Sequence, residues 1–443
     1  MTQGFSNVKL RGVLEERSGI TWGKEQESQT PLPGAMPVLT VTNVQETLET
    51  EPMLYIRGVS ERDRQRKAAK QGWTIAVGSN GNRGRIGNCV FIERDTEYLF
   101  ASFLVAFRPK PDSGIDAEYF YRWMSSYEIQ ARLSASSEGT TGLGNLSTRY
   151  FRNLWISYPT DSREQARVVE LLRLVDTAIA TAGESIAKAE RLQKGLMQQL
   201  LTGRLKPDGT PRSPDEFWAE PKLGLVPKGW IVEKGWKIAD KITKGQSPKW
   251  QGFDYTSSGM LFVTSENVRD GFLDLSEPKY LPVEFNEKIK GSELQTGDIL
   301  INLVGASIGR SCLFDADHRP ANVNQAVCVF RPKPGIVSRY LAYYLRLHST
   351  QNRLLSSQVE TARSNLSLGD VRRLKFVLPQ DEQEQKEIAE RVHHITRFID
   401  AKQQKIAALQ RLKKSLMQNL LTGRIRLPVD GAVVKEGRDE QTQ

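Results

Sequence analysis

Cysteine is scarce: Cys89, Cys312 and Cys328 are the only three in 443 residues. They are too few for a disulfide framework and wrongly spaced for zinc, which fits a reducing cytoplasm. No apolar run reaches the roughly 18 residues of a membrane span. No charged-then-greasy leader opens the chain, so neither a transmembrane nor a secreted protein is expected. Histidine is limited to His318, His348 and the adjacent pair His393 and His394. Neighbours on a helix point about 100° apart, which makes that pair a poor metal site. There is no GxxxxGK[ST] cradle for phosphates, and no Asn-Pro-Pro-aromatic or Asp-Pro-Pro-Tyr box for amino methylation. The glycine-rich run from Gly78 to Gly87 has no clear strand-to-helix flanks, so it reads as a flexible loop rather than a nucleotide site. Asp315 and Asp317 read as turn residues. The expectation is a chain without a cofactor, a metal or chemistry of its own.

What the sequence has is repetition. RLQKGLMQQLLTGR at 191–204 returns as RLKKSLMQNLLTGR at 411–424, identical at 11 of 14 positions. Upstream, Glu164 and Gln165 answer Glu384 and Gln385 at the same spacing. Weaker echoes precede each helix: FRPK at 107–110 and 330–333, Asn145-Leu146-Ser147 and Asn365-Leu366-Ser367, and Val41-Thr42-Asn43-Val44 beside Ser265-Glu266-Asn267-Val268. The order is variable domain, helix, variable domain, helix, a duplication that defines the fold.

Each repeated helix carries a heptad seam. In the first, Val168, Val175, Ala182, Ala189 and Leu196 interleave with Leu172, Ile179, Ile186, Gln193 and Leu200. In the second, Ile388, Ile395, Lys402, Leu409 and Leu416 interleave with Val392, Ile399, Ile406, Lys413 and Leu420. Five heptads argue for a coiled coil. An antiparallel intramolecular pair, a rod of roughly 60 Å, is favoured over dimerisation of two chains through the same stripes. Gly203 and Gly423 stand where a C-terminal glycine belongs.

The expected organisation is a first domain over 1–160, a helix over 161–205 and a proline-rich extended connector over 206–229. A second domain then covers 230–380, a helix 381–425, and a disordered tail 426–443. Both domains read as α/β (α+β) with small twisted sheets. Trp73 to Val77 and Phe103 to Phe107 are β-like runs in the first; Leu261 to Val263, Asp298 to Ile301 and Ala326 to Phe330 are their counterparts in the second.

LMQQLLTGR and LMQNLLTGR, with their Glu-Gln starts, resemble the specificity subunit of type I restriction–modification enzymes. So do Leu223-Gly224, Val226-Pro227 and Gly229-Trp230 at the entry to the second domain. Gly297-Asp298-Ile299-Leu300-Ile301, Ser307-Ile308-Gly309-Arg310 and Asn324-Gln325 lie within it. In the first domain Gly72-Trp73-Thr74-Ile75 departs from the Gly-Asp-Ile-Leu pattern. The resemblance implies two target-recognition domains held apart by two helices in a pseudo-twofold repeat, each reading half of a split double-stranded DNA site. It implies two methyltransferase subunits and restriction/translocase subunits as partners, with S-adenosylmethionine, ATP and Mg bound there. It also implies no membrane and a cytoplasmic location. The rival class is a coiled-coil scaffold whose flanking domains bind proteins.

The chain is basic, with 62 Lys+Arg against 52 Asp+Glu and a net charge of +10. Residues 163–206 carry 8 cations and 5 anions, and 383–426 carry 10 and 4, so the helices hold +9 of it. Those cations suit the helix C-terminal dipoles and equally a docking partner. DNA affinity in the domains must then come from local clusters. The candidates in the first domain are Arg57, Arg64, Arg83 and Arg85, with Arg62, Arg66 and Lys67 nearby. In the second they are Lys244, Gln246, Ser247 and Lys249, then Arg310, Arg319, Asn322, Asn324 and Gln325. Thr40, Thr42 and Asn43, and their counterparts Thr264, Ser265 and Asn267, follow apolar strands. They are expected either to face outward as readers or to serve as turn chemistry. Arg matches guanine and Asn or Gln matches adenine in a bidentate geometry, whereas Lys and Ser hold phosphates.

Overall fold

A glycine that turns left-handed starts the central strand of each domain. Gly72 and Gly297 have φ of 78° and 90°, a region closed to most side chains. They lead into Thr74–Val77 and Ile299–Asn302, whose four residues are all buried, as expected for strands covered on both faces. The computed structural model describes residues 4–137, 142–314, 320–361 and 365–429. In it the chain divides into one unit of Met1–Gly183 with Gln403–Gln443 and a second of Glu184–Lys402.

The first unit holds an antiparallel sheet in the order Leu14–Ser18, Leu104–Pro109, Thr74–Val77, Cys89–Phe91. The second holds Ala239–Lys244, Val327–Pro332, Ile299–Asn302, Ser311–Leu313, which is the same order. A smaller sheet accompanies each. Met36–Leu39 runs parallel to Leu99–Phe100 and antiparallel to Leu54–Ile56. Met260–Val263 runs parallel to Ala321–Val323 and antiparallel to Tyr280–Leu281.

The departure at Gly72-Trp73 is therefore one of chemistry rather than fold. In the second unit the fully buried Asp298 accepts two hydrogen bonds from Arg331, at 2.7 and 2.8 Å. In the first, Arg108 of the FRPK echo lies 4.8 Å from the centre of the Trp73 ring and pairs with Glu15 at 2.8 Å. The arginine is held by a fully buried carboxylate in one domain, and by a half-buried carboxylate together with an aromatic face in the other.

The helices run over Ser162–Leu201 and Glu382–Leu420, 40 and 39 residues. In the first unit Val168 and Leu172 share a core with Met417, Leu420 and Leu421, and Asp176 meets the Lys413 ammonium at 2.6 Å. In the second, Met197, Leu200 and Leu201 share a core with Ile388, Ala389 and Val392, and the Gln193 amide donates to Thr396 Oγ1 at 2.7 Å. Within each unit, rising numbers on one helix meet falling numbers on the other, so the seam closes antiparallel inside the chain. All fifteen apolar seam residues other than the alanines are buried or half-buried. Two of the three polar interruptions, Gln193 and Lys413, have cross-helix partners.

The connector departs from the expected extended linker. A turn of Pro214–Glu216 is closed by Ser213, and Phe217–Glu220 pairs with Gly224–Pro227 as a hairpin. Lys222 at φ 72° supplies its tight corner. Arg212 stacks 5.4 Å from the centre of the Trp230 ring and pairs with Glu384. Arg426, expected to open a disordered tail, is instead ion-paired with Glu164; residues 430–443 of that expected tail lie outside the described ones. Among the described residues no helix is long and apolar enough to cross a membrane.

Candidate nucleic-acid interface

Two parallel strands end side by side in each unit, and a glycine crosses their ends. Ala101 donates to the Leu39 carbonyl at 2.9 Å and Asn324 to that of Val263 at 3.0 Å. Over this edge pass Gly19 and Gly245. A Cβ there would lie 2.0 Å from the Ala101 carbonyl oxygen and 1.6 Å from that of Val323, so only glycine fits. Sequence reasoning picked out the polar residues after Gly245 but neither glycine. Their equivalence depends on a strand about 80 residues further along the chain, and no local pattern reports that.

The turns leaving these strands are locked by matching side chains. Asn43 Oδ1 accepts from the Thr40 amide and hydroxyl at 2.8 and 2.9 Å, and its amide donates to the Glu49 carbonyl at 2.8 Å. Asn267 does the same with Thr264, at 2.9 and 3.0 Å, and with the Asp274 carbonyl at 3.0 Å. Asn43, Thr264 and Asn267 are buried. They hold the turn rather than face outward, because a buried amide whose oxygen and nitrogen both have backbone or hydroxyl partners is already satisfied. Thr42 is exposed and Ser265 half-buried.

A second anchor differs between the units. Arg85 donates to the carbonyls of Val41 and Val44, both at 2.7 Å. In the second unit Asn302 reaches the equivalent carbonyls of Ser265 and Val268, at 2.9 and 3.2 Å. Arg85 is thus turned inward onto the turn. The short turns Arg83–Arg85 and Gly305–Ser307 otherwise correspond. Each ends in a left-handed glycine, Gly87 or Gly309, whose carbonyl accepts from Gln130 at 2.7 Å or Gln351 at 3.1 Å.

The remaining candidates separate cleanly. Lys244, Gln246, Lys249, Gln325, Arg310 and Arg83 are exposed, and Ser247 and Asn324 half-buried. Trp250 beside them is 85% exposed. Asn322 is fully buried and bonded to Asn286, Ile289, Ser292 and Val323, so it belongs to the core. Arg57 follows Leu54–Ile56, where Ile56 pairs with Met36. That places it at the opposite end of the strand from Thr40. Arg64 sits half-buried on the helix Glu61–Lys67. From that helix it is Lys67 that reaches the crossing, donating to the Ser18 carbonyl at 2.5 Å. Arg319 lies outside the described residues.

The cysteines are no nucleophiles: burial raises all three, Cys312 and Cys328 to about 12, and a buried thiol is inert. Among the described residues no three His, Cys, Asp or Glu are grouped to hold a metal.

One framework built twice, with unlike exposed residues at the two sets of strand ends, defines a protein of two related domains. The profile of the type I restriction modification DNA specificity domain matches residues 3–191 and 241–411, and the chain belongs to that family. It is similar to the type I restriction enzyme MjaVIII specificity subunit of Methanocaldococcus jannaschii, 25% identical over 74% of this chain and 75% of that one. The EcoBI specificity subunit of Escherichia coli is 26% identical over 69% of this chain and 65% of its own. In fold, the S subunit of a type I restriction-modification system from M. genitalium superposes with a TM-score of 0.59. It covers 94% of this chain and 96% of its own, at 12% identity. The chain is accordingly a DNA specificity subunit of a type I restriction–modification system, and catalysis resides in other subunits.

Proposed function

We propose that the exposed edge of each unit reads one half of an asymmetric, bipartite double-stranded DNA site. The observation that carries this is one framework with two rims. Lys244-Gly245-Gln246 stands where the first unit has Ser18-Gly19-Ile20, Asn324-Gln325 where it has Ala101-Ser102, and Arg310 where it has Asn88. Glutamine and arginine read base edges bidentately, so unlike rims select unlike half-sequences. Lys244 and Lys249 are suited to phosphates, which set register.

In this reading two methyltransferase subunits and the restriction/translocase subunits assemble on the chain in the cytoplasm. S-adenosylmethionine, ATP and Mg are bound by those partners. The paired helices set the unread gap between half-sites. Single-molecule sequencing of modified adenines, in cells with and without this gene, tests the reading. The expected result is a gene-dependent motif of two unlike halves around a gap. A motif without a gap, or no gene-dependent motif, would overturn it. Removing one heptad from both helices, kept in register, is expected to change the gap and leave both half-sequences intact.

A further inference from the structure

Most of the repeated residues in the two domains have a structural reason. Phe107 and Phe330 are buried, Arg108 and Arg331 are ion-paired, and Asn43 and Asn267 lock turns. In the Asn-Leu-Ser echo, Leu146 and Leu366 are buried, and their N–H groups donate to the Gly78 and Leu303 carbonyls, both at 2.8 Å. Ser147 and Ser367 cap the helices Thr148–Asn153 and Leu368–Arg373. Asn145 and Asn365 have no such reason. Both are exposed, and neither side chain has a hydrogen-bond partner among the described residues. Each sits beside the short turn of its unit. Asn145 pairs with Ser79, and Arg83 crosses the adjacent Gly144, where a Cβ would lie 2.9 Å from its Cγ. Asn365 precedes the Leu366 bond to Leu303, two residues before Gly305–Ser307.

Resting on the reading of both units as DNA-recognition domains, we propose that Asn145 and Asn365 are paired contacts to the DNA sugar–phosphate backbone. Two domains that read different bases share one feature of the duplex, its phosphates. An identical exposed donor at an identical place in both must meet what both sites have in common. The setting suits an anion. Residues 78–88 contain the exposed Arg83 and residues 302–313 the exposed Arg310, and neither stretch contains a carboxylate. A side-chain amide donates to phosphate oxygen without carrying sequence information.

The test uses the methyltransferase complex assembled on the full chain, with anisotropy of two labelled duplexes, one carrying the mapped site and one with both halves scrambled. Asn145→Ala and Asn365→Ala are expected to weaken both duplexes by the same factor, about fivefold each, with the methylated motif unchanged. Asn145→Asp and Asn365→Asp are expected to weaken binding further, and the excess to shrink with added salt, because the new charge faces phosphate. Unchanged affinity in all four variants would overturn the inference. So would a changed base preference, which would make the asparagines base readers. Release of the methyltransferase subunits on gel filtration would make them protein contacts. If the unmodified complex binds neither duplex, the DNA-recognition reading itself fails.

Discussion

Glu164 and Glu384 begin the two helices, and each receives an arginine from beyond the end of the other helix. Arg426 reaches Glu164 with bonds of 2.6 and 2.5 Å, and Arg212 pairs with Glu384. The following glutamine is a splint. Gln165 accepts from the Asp116 amide at 2.7 Å and donates to the Gly114 and Pro159 carbonyls at 2.8 and 2.9 Å. Gln385 repeats this with Val337, Gly335 and Pro379, at 2.9, 3.4 and 3.0 Å. Both glutamines are 1% exposed, so water cannot replace these bonds. Gln385→Ala is expected to cost about 2–4 kcal/mol, read as faster hydrogen exchange in Ser338–Leu345 and Lys375–Pro379. A second residue makes the same junction sensitive to pH. His393 Nδ1 lies 3.3 Å from the Tyr343 hydroxyl. Burial, with Arg339 adding and Glu390 opposing, holds its pKa below the ordinary 6.5. Below that value the unfolded chain binds a proton that the folded one resists, so stability falls with pH through this window and is unaffected above it. The urea midpoint of the native protein is expected to drop between about pH 7.5 and 5.5, and to drop less in His393→Gln.

At the scale of elements, the long helices were legible because a heptad needs only near neighbours. The buried strands were legible from short apolar runs bounded by turn residues. The connector was misread because five prolines within 206–229 suggest extension. Its hairpin exists through pairing of Phe217–Glu220 with Gly224–Pro227 and through Arg212 reaching Trp230 and Glu384. Of the edge proposed to read DNA, the exposed residues were legible only in part. Exposed Lys244, Gln246, Lys249 and Gln325 lie on it, whereas Asn322 is sealed in the core and Arg85 is spent on the Val41 and Val44 carbonyls. Polarity alone does not distinguish a reader from a turn lock; only the distant partner does. The crossing glycines give the sharpest element-level expectation. Gly245→Ala puts a methyl against the Val323 carbonyl and must move the loop carrying Lys244, Gln246 and Lys249. Methylation maps are expected to lose or relax one half-sequence and keep the other. Gly19→Ala is expected to give the reciprocal result, and loss of both halves from either change would show that the two edges do not act separately.

Over the whole molecule, the repeated LMQ-LLTGR segments finish each helix in the unit that its own preceding domain does not belong to. Helix one starts in the first unit and delivers Met197, Leu200 and Leu201 to the core of the second. Helix two starts in the second unit and delivers Met417, Leu420 and Leu421 to the core of the first, among Leu10, Phe107 and Tyr119. The glycine after each helix completes the docking. Gly203 and Gly423 have φ of 69° and 71°, and a Cβ would strike Pro227 at 2.2 Å and Phe5 at 3.0 Å. The first unit draws its core from two separate pieces of chain, and the second, Glu184–Lys402, takes in the end of helix one ahead of its own domain. Each core thus includes the helix end that follows the other domain, which explains why the helix ends are the most faithfully repeated part of the sequence. Leu420 is 1% exposed and Leu200 0%, so truncating either to alanine should cost about 2–5 kcal/mol, in opposite places. Leu420→Ala is expected to accelerate hydrogen exchange in Leu104–Pro109 and Ala117–Met124, more than 290 residues earlier in the chain, and to spare Val327–Pro332. Leu200→Ala is expected to do the reverse. Exchange that followed sequence proximity instead would mean that each helix end stabilises the domain before it, and the crossed docking would be wrong.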